Sequence, residues 1–438
     1  MAPSQAEQAE RELQQASWFE KLKIYLRTLG PGIVTGASDD DPSGIGTYAQ
    51  TGAQFGYTQL WASLFTFPLM TVVQEMCARV GLQTGRGLAE IIRLYYPRPV
   101  LYFCVLLLFV ANTINVGADL GAMAAAGQLL VGIPFVIWLL GIALLTVGLQ
   151  VLISYNRYSR VLRVLTLSLL AYILVVVVVS QDWGQALRNT VIPTVEFNKD
   201  YLLNLVAILG TTISPYLFFW QADQEVEEAI DQGKTSVAAR KNASRADIKW
   251  MRTDVTAGML FSNLVMWFII VTTASTLFRN HITNIDSATQ AAEALKPVAG
   301  NLASLLFAIG ILGTGLLAVP VLAGSSAYAI AEAFRFRKGL YLKFQQARPF
   351  YLVIVISTFV GAAINFIGIN PMQALYYTAI INGIAAPPLL FIIMLVSNNR
   401  KIMQDKTNGR VSNILGWLTT VCMTIAAAAL LWTLATGQ

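Results

Sequence analysis

Histidine is almost missing from this chain of 438 residues: there is one, His281, which leaves no material for a multi-histidine metal cage. Charge is scarce too, at 12% of residues against about 25% in globular proteins, while 55% are hydrophobic. Such a chain cannot cover a watery surface, and it reads as an all-α polytopic membrane protein. Only three cysteines occur, Cys77, Cys104 and Cys422, each inside an apolar run and without C-x-x-C spacing, so no disulfide framework or zinc site is expected and the three read as core thiols. The first twenty residues lack an apolar core of the signal-peptide type, so no cleavage is expected and the N-terminus is placed in the cytoplasm. No nucleophile and base occur together, which argues against an enzyme. GKTS at Gly233 to Ser236 lacks the upstream glycine of a phosphate-binding loop, where Glu228 stands instead. The pI near 9.1 comes from short basic clusters between apolar runs and does not imply nucleic acid.

What the chain has in abundance is apolar runs of about 20 residues, the length that crosses a bilayer. Eleven can be counted, at about 28–53, 59–80, 99–130, 134–154, 161–180, 202–230, 255–277, 301–334, 350–368, 372–396 and 412–435. With the N-terminus inside, all Lys and Arg except Arg188, Lys199, Arg279 and Lys296 fall on the cytoplasmic side. That positive-inside bias fixes the orientation and puts the C-terminus outside the cell membrane. Asn242-Ala243-Ser244 reads as a glycosylation sequon but lies inside, where it is silent.

The first and sixth runs open two groups of five. Five is odd, so the groups are inverted, and each opening run is interrupted. GASDDDPSGIG at Gly36 to Gly46 carries three aspartates and Pro42, and ILGTTISPYLFFWQ at Ile208 to Gln221 carries Gly210 and Pro215. Paired interruptions in inverted halves mark the central site of a secondary transporter, and a carboxylate at that depth marks a functional residue. The expected organisation is a cytoplasmic segment at 1–27, a first repeat at 28–180, an outer loop at 181–201, a second repeat at 202–396, an inner loop at 397–411 and an eleventh span at 412–438. Asp41, beside Pro42, is the principal candidate for a cation. Asp39 and Asp40 cannot face the same ligand at 100° per residue, and either line a water-filled vestibule or bond locally. Glu75 and Asp119, within the second and third runs, form either a relay or structural hydrogen bonds. The acids Asp223, Glu225, Glu227 and Glu228 at the inner end of the sixth run are expected to pair with the basic loop from Lys234 to Arg252.

These residues resemble the Nramp family of divalent-metal transporters from about Leu29 to Ser397. The landmarks are LGPG at Leu29 to Gly32, the DPSG segment followed by QFGY at Gln54 to Tyr57, ARVGLQTGRGLAE at Ala78 to Glu90, ADL at Ala118 to Leu120, and GTGLLAVPVLAGSSAYAIAEAF at Gly313 to Phe334. The resemblance implies a LeuT-like fold of 5+5 inverted helices plus an eleventh, with helices one and six broken at mid-membrane, moving a divalent cation by alternating access. It also exposes departures. Gly44 stands where the family's DPGN has its metal-binding asparagine, and Ser214 where the sixth helix carries a methionine ligand. Tyr216 and Gln221 replace the expected histidines, and Ala122 replaces a glutamate, which leaves Asp119 as the one retained proton-path candidate.

Loss of the thioether removes the soft ligand that favours manganese and iron, and loss of two side chains is expected to widen the site. Magnesium keeps several of its waters and touches one or two carboxylates, so Asp41 with carbonyl, hydroxyl or water-mediated contacts from Gly44, Thr211, Thr212 and Ser214 suits a largely hydrated ion. The pattern resembles the Nramp-related magnesium transporters, which carry magnesium and manganese without proton coupling. The alternatives are a proton-coupled manganese and iron carrier and, from another class, a non-transporting Nramp-like sensor. The expected partners are the divalent substrate ion and the lipid bilayer. No cofactor, nucleic acid or obligate protein partner is expected, and helix ten's contribution is sought near Tyr376, Tyr377 and Asn382.

Overall fold

The computed structural model describes residues 30–152, 170–179 and 182–436, together with residues 12, 17 and 20. Among the described residues the fold is helical throughout. The first expected span is two helices, α1 (Pro31–Asp39) and α2 (Pro42–Phe55). There follow α3 (Trp61–Thr84), α4 (Leu88–Tyr95), α5 (Arg98–Leu130), α6 (Phe135–Leu152), α7 (Leu170–Val178) and α8 (Trp183–Val191). The sixth expected span is again split, into α9 (Lys199–Thr212) and α10 (Pro215–Asp231). Long helices complete the chain: α11 (Arg245–Thr276), α12 (Ala303–Phe334), α13 (Arg348–Ile364), α14 (Pro371–Asn398) and α15 (Arg410–Thr436).

Both breaks have the same local cause. A proline supplies no N–H and pushes the residue before it out of the α region. Asp41 accordingly has φ −66° and ψ 170°, and Ser214 has φ −78° and ψ 129°, each as the N-cap of a helix that begins on proline. The two caps differ. The Asp41 side chain accepts from the Gly44 N–H, whereas Ser214 makes no such bond to its own helix.

Several expectations shift at the ends. α11 starts at Arg245, well before 255, because Ser244 and Asp247 form a reciprocal capping box, and this makes helix of a stretch read as loop. α4 and α8 lie where loops were expected. Half of the expected fifth span, 161–169 and 180, falls outside the described residues. Eight stretches of the described residues are long and apolar enough to cross a membrane. The first span falls short because it is divided, and α3 because Gln74, Glu75 and Arg79 lie within it. Cys77 and Cys104 are core thiols as expected, but Cys422 is exposed on α15 among Ile414, Leu418, Val421 and Ile425, a face for lipid.

α1 and α2 pack along α11, α9 along α14, α10 against α3, and α5 against α12, α13 and α14. Close approach in a bilayer depends on small residues, because lipid is as apolar as the side chains it would exchange for. Gly36 of α1 abuts Gly258 of α11, and Gly210 of α9 abuts Ala379 and Gly383 of α14. The start of α1 is held by one carboxylate on α11: Asp254 accepts from the backbone N–H of Gly30 (2.9 Å), Gly32 (2.6 Å) and Ile33 (3.2 Å). A Cβ at Gly36 would collide with the Gly258 carbonyl. Gly36→Val is therefore expected to separate α1 from α11 at a cost of about 1–3 kcal/mol, seen as a lower melting temperature of the detergent-solubilised protein. An unchanged melting temperature would show that the two helices are not held at this distance.

Candidate metal centre

The centre is built on the first break. Asp41 is buried, and its carboxylate is engaged on both oxygens: Oδ1 accepts from Ser43 Oγ (2.8 Å) and the Gly44 N–H (2.6 Å), and Oδ2 accepts from Asn115 Nδ2 (2.9 Å). Asn115 lies on α5, one helical turn before Asp119, and its amide is also 3.4 Å from Asp119 Oδ2. Asn382 of α14 donates in turn to Asn115 Oδ1 at 3.3 Å. Three elements thus meet at Asp41: the α1–α2 break, α5 and α14. Buried polar atoms normally have partners, yet Asp119 Oδ1, Asn382 Oδ1, Asp39 Oδ1 and Asp40 Oδ2 have none. Four partnerless oxygens around one break form an acceptor-rich environment suited to a positive ligand.

The second break contributes less directly. Thr211 Oγ1 lies 3.2 Å from where a Cβ on Gly44 would sit, which joins the two breaks. Thr212 Oγ1 donates to the Ile208 carbonyl (2.5 Å), and Ser214 Oγ lies within hydrogen-bond reach of the carbonyls of Thr211 (2.6 Å) and Gly210 (2.9 Å), so both hydroxyl protons are spent on α9 itself. The sequence-derived candidates Asp41, Gly44 and Thr211 therefore come together, while Thr212 and Ser214 are buried nearby with only their acceptor lone pairs left over. The expected widening beside Gly44 is not open space here. The Asp39 carbonyl (3.1 Å) and the Thr211 hydroxyl occupy it, and Asp41 is 1% exposed.

Asp39 and Asp40 face no vestibule in this conformation. Both are fully buried and turn towards α11, where Ser262 Oγ lies 2.6 Å from Asp39 Oδ2 and 3.3 Å from Asp40 Oδ1. The positions where histidines would stand tie the half-helices to one another. Tyr216 Oη donates to the Ser38 carbonyl (2.8 Å), and Gln221 accepts from Thr35 Oγ1 (2.5 Å) and donates to Glu225 (2.9 Å). Ala122 is buried, and His281 is exposed on the turn after α11. Of the aromatic pair proposed on helix ten, Tyr377 is exposed and only Asn382 joins the network.

Of the two readings of Glu75, structural bonding to a neighbouring helix holds in place of a relay with Asp119. Glu75 binds Arg79 (3.1 Å) and Arg252 (2.9 Å) while Arg79 also reaches the Lys406 carbonyl, a structural knot between α3, α11 and the 404–409 loop. Glu225 accepts from Gln221 and Glu228 has Lys234 as a nearby positive charge, whereas Asp223 and Glu227 find their hydrogen bonds outside the 234–252 loop, whose Arg240 is spent on the carbonyls of Gly85, Lys234 and Thr235. The loop after α12 folds beneath these two acids instead. Lys338 bridges Asp223 (2.7 Å) and Glu332, and Glu227 accepts from Tyr328 Oη (2.5 Å) and the Leu340 N–H (3.1 Å). Burial opposes the charge on Lys338, but Asp223 and Glu332 hold its ammonium above the ordinary lysine range.

Sequence reasoning missed Asn115. Its signal was present, an amide on the same face as Asp119 inside an apolar helix, where polar side chains are costly without a partner. Among the described residues no group of three or more His, Cys, Asp or Glu is arranged to hold a metal.

Residues 32–433 match the family model described as "Nramp: Natural resistance-associated macrophage protein-like". The chain is 27% identical over 426 residues to the divalent metal cation transporter MntH of Deinococcus radiodurans, covering 95% of this chain and 92% of that protein. It is 25% identical over 433 residues to MntH of Caldanaerobacter subterraneus, covering 95% and 96%. Its fold is shared with the manganese transporter of Eremococcus coleocola at a TM-score of 0.72, with 18% identity over 94% of this chain and 87% of that one. Mhp1, a nucleobase-cation-symport-1 family transporter, has the same LeuT-like architecture at a TM-score of 0.61, with 13% identity and 93% of each chain covered. A match that takes in both breaks, the Asn115–Asp119 helix and all the long helices that pack around them places this chain in the Nramp family.

Proposed function

We propose that this protein carries divalent cations across the cell membrane by alternating access, with magnesium as the preferred ion and manganese also accepted. The observation that carries this reading is the donor set: a single carboxylate, Asp41, hydroxyls and amides around it, and Ser214 where a sulfur ligand would favour softer metals. Oxygen-only donors that accept from water suit an ion that keeps part of its hydration shell. The room for that shell comes from movement of the half-helices, since Thr211 and the Asp39 carbonyl close the space beside Gly44 in this conformation. The four basic residues assigned to the outside support an N-terminus in the cytoplasm and a C-terminus outside. A second reading, a manganese carrier, is favoured by the names of the relatives. Uptake into proteoliposomes compared for magnesium, manganese and calcium separates the two. Magnesium uptake at the level of empty liposomes, with manganese carried, would overturn the first.

Transport in this proposal is not coupled to protons. Ala122, Tyr216 and Gln221 occupy the places where titratable groups were expected, and Tyr216 and Gln221 are committed to Ser38, Thr35 and Glu225. Metal entry down its gradient is expected to leave the lumenal pH unchanged. Rates should vary little between about pH 6 and 8, the window that contains the histidine pKa. Metal-dependent acidification reported by a lumenal dye, and abolished by Asp119→Asn, would show that this carboxylate sustains coupling alone.

A further inference from the structure

Asp41 presents very little of its carboxylate. A carboxylate has about four lone-pair sites. On Oδ1 both are taken, by Ser43 Oγ and the Gly44 N–H with the Ser43 N–H close beside them, and on Oδ2 one is taken by Asn115 Nδ2. Asn115 is itself held, because its oxygen accepts from Asn382 and its amide also reaches Asp119. All five side chains, of Asp41, Ser43, Asn115, Asp119 and Asn382, are buried to within 1% exposure, so water does not compete for these bonds. The bonds to Oδ1 come from the residues that follow Asp41 in its own chain and travel with it. The bond to Oδ2 comes from another helix and is the one that fixes the plane of the carboxylate.

We propose that Asn115 is a positioning residue for ion selectivity: by pinning Oδ2 from α5 it leaves Asp41 a single lone pair, so that an ion is contacted through one oxygen only. This rests on the reading of Asp41 as the principal ion contact. Calcium takes six to eight oxygens in flexible geometry and often binds a carboxylate through both oxygens, whereas magnesium takes six in a near-octahedral shell and is content with one. A carboxylate held to one-oxygen contact therefore penalises calcium. Released from Asn115, Oδ2 is free and the group can turn, so that rotation of the Ser43 hydroxyl away from Oδ1 is then enough for it to offer both oxygens. Asn382 acts in the same direction at one remove, since its hydrogen bond goes to Asn115 and steadies that amide.

Asn115→Leu keeps the size of the side chain and deletes its donors. In proteoliposomes the calcium-to-magnesium uptake ratio of this variant is expected to rise about tenfold, the scale of one hydrogen bond to a charged group. A smaller rise is expected for Asn382→Leu, and an intermediate one for Asn115→Ser, whose hydroxyl keeps one donor. A purely structural role would lower the uptake of all ions together and leave the ratio unmoved, and that result overturns the proposal. If Asn115→Leu is not monodisperse in detergent, Asn115→Ser and Asn382→Leu decide, and wild-type ratios in both reject it. The calcium-to-manganese ratio keeps the two readings apart. A wild-type protein that carries manganese and not magnesium ends the magnesium reading, while a rise in calcium over manganese in Asn115→Leu still supports the role of Asn115. Full uptake by Asp41→Asn removes the ion contact, and the role of Asn115 with it.

Discussion

Asp41→Ala is expected to reduce metal uptake to the level of empty liposomes, and Asp41→Asn to do the same in a better-folded protein. The two variants separate the two tasks of this side chain. As the N-cap of α2, Asp41 satisfies the Gly44 N–H, and losing that bond costs about 0.5–2 kcal/mol of helix stability, which asparagine largely preserves. As the negative charge at the break, it offsets part of the cost of bringing a divalent ion out of water, which for an unpaired ion in a low-dielectric interior is several kcal/mol or more. Asparagine cannot supply that charge. Asp119 is the other carboxylate joined to the network, through the Asn115 amide and the Ser43 backbone N–H. Uptake by Asp41→Asn at the wild-type rate would place the charge that matters at Asp119, or at Asp39 and Asp40 beside Ser262.

The second large effect is expected in selectivity. Gly44→Asn combined with Ser214→Met should lower magnesium transport relative to manganese by about tenfold or more, since the pair adds a thioether, to which magnesium is nearly indifferent, and takes away room for water. The geometry at Gly44 gives this prediction its direction. A Cβ there meets the Asp39 carbonyl at 3.1 Å, Thr211 Oγ1 at 3.2 Å and Asp41 Oδ1 at 3.3 Å, so the asparagine has to displace Thr211 by a few tenths of an ångström and then fills the space between the breaks. Competition between the two ions in one proteoliposome assay measures the ratio directly. A well-folded double variant with the wild-type ratio would refute the account of a hydrated ion in an oxygen-only site.

The helical architecture was legible because its causes are local. Apolar runs of bilayer length, Pro42 and Pro215 in the opening runs, and the placement of basic residues between spans each act over a few residues. The break residues Asp41 and Gly44 were legible for the same reason. Asn115 and Asn382 were not, since their meeting with Asp41 depends on α5 and α14 packing against the break, and no spacing within one segment records that. The destination of Lys338 was hidden in the same way. From sequence the 234–252 loop was the nearer source of positive charge for the acids of α10, but α11 begins at Arg245 and absorbs part of it, and Asp223 and Glu227 are met by the loop after α12. Thr212 and Ser214 illustrate a different limit. A hydroxyl beside a helix break can serve a ligand or its own backbone, and only coordinates show that here both donate to α9.

The clamp that Asp254 makes on Gly30, Gly32 and Ile33 has a mechanical consequence. α1 is fastened to α11 at three heights: by that carboxylate at its start, by the Gly36–Gly258 contact at its middle, and by Ser262 on Asp39 at its end. A rod pinned along its whole length cannot pivot by itself; it shares the motion of the rod it is pinned to. Any tilt of α11 is therefore delivered as torque to the two-residue joint at Asp40 and Asp41, where Ser262 holds Asp40 to α11 and Asn115 holds Asp41 to α5. The lever is as long as α1, about 13 Å at 1.5 Å per residue, and its fulcrum is the peptide that carries the Asp41 carboxylate.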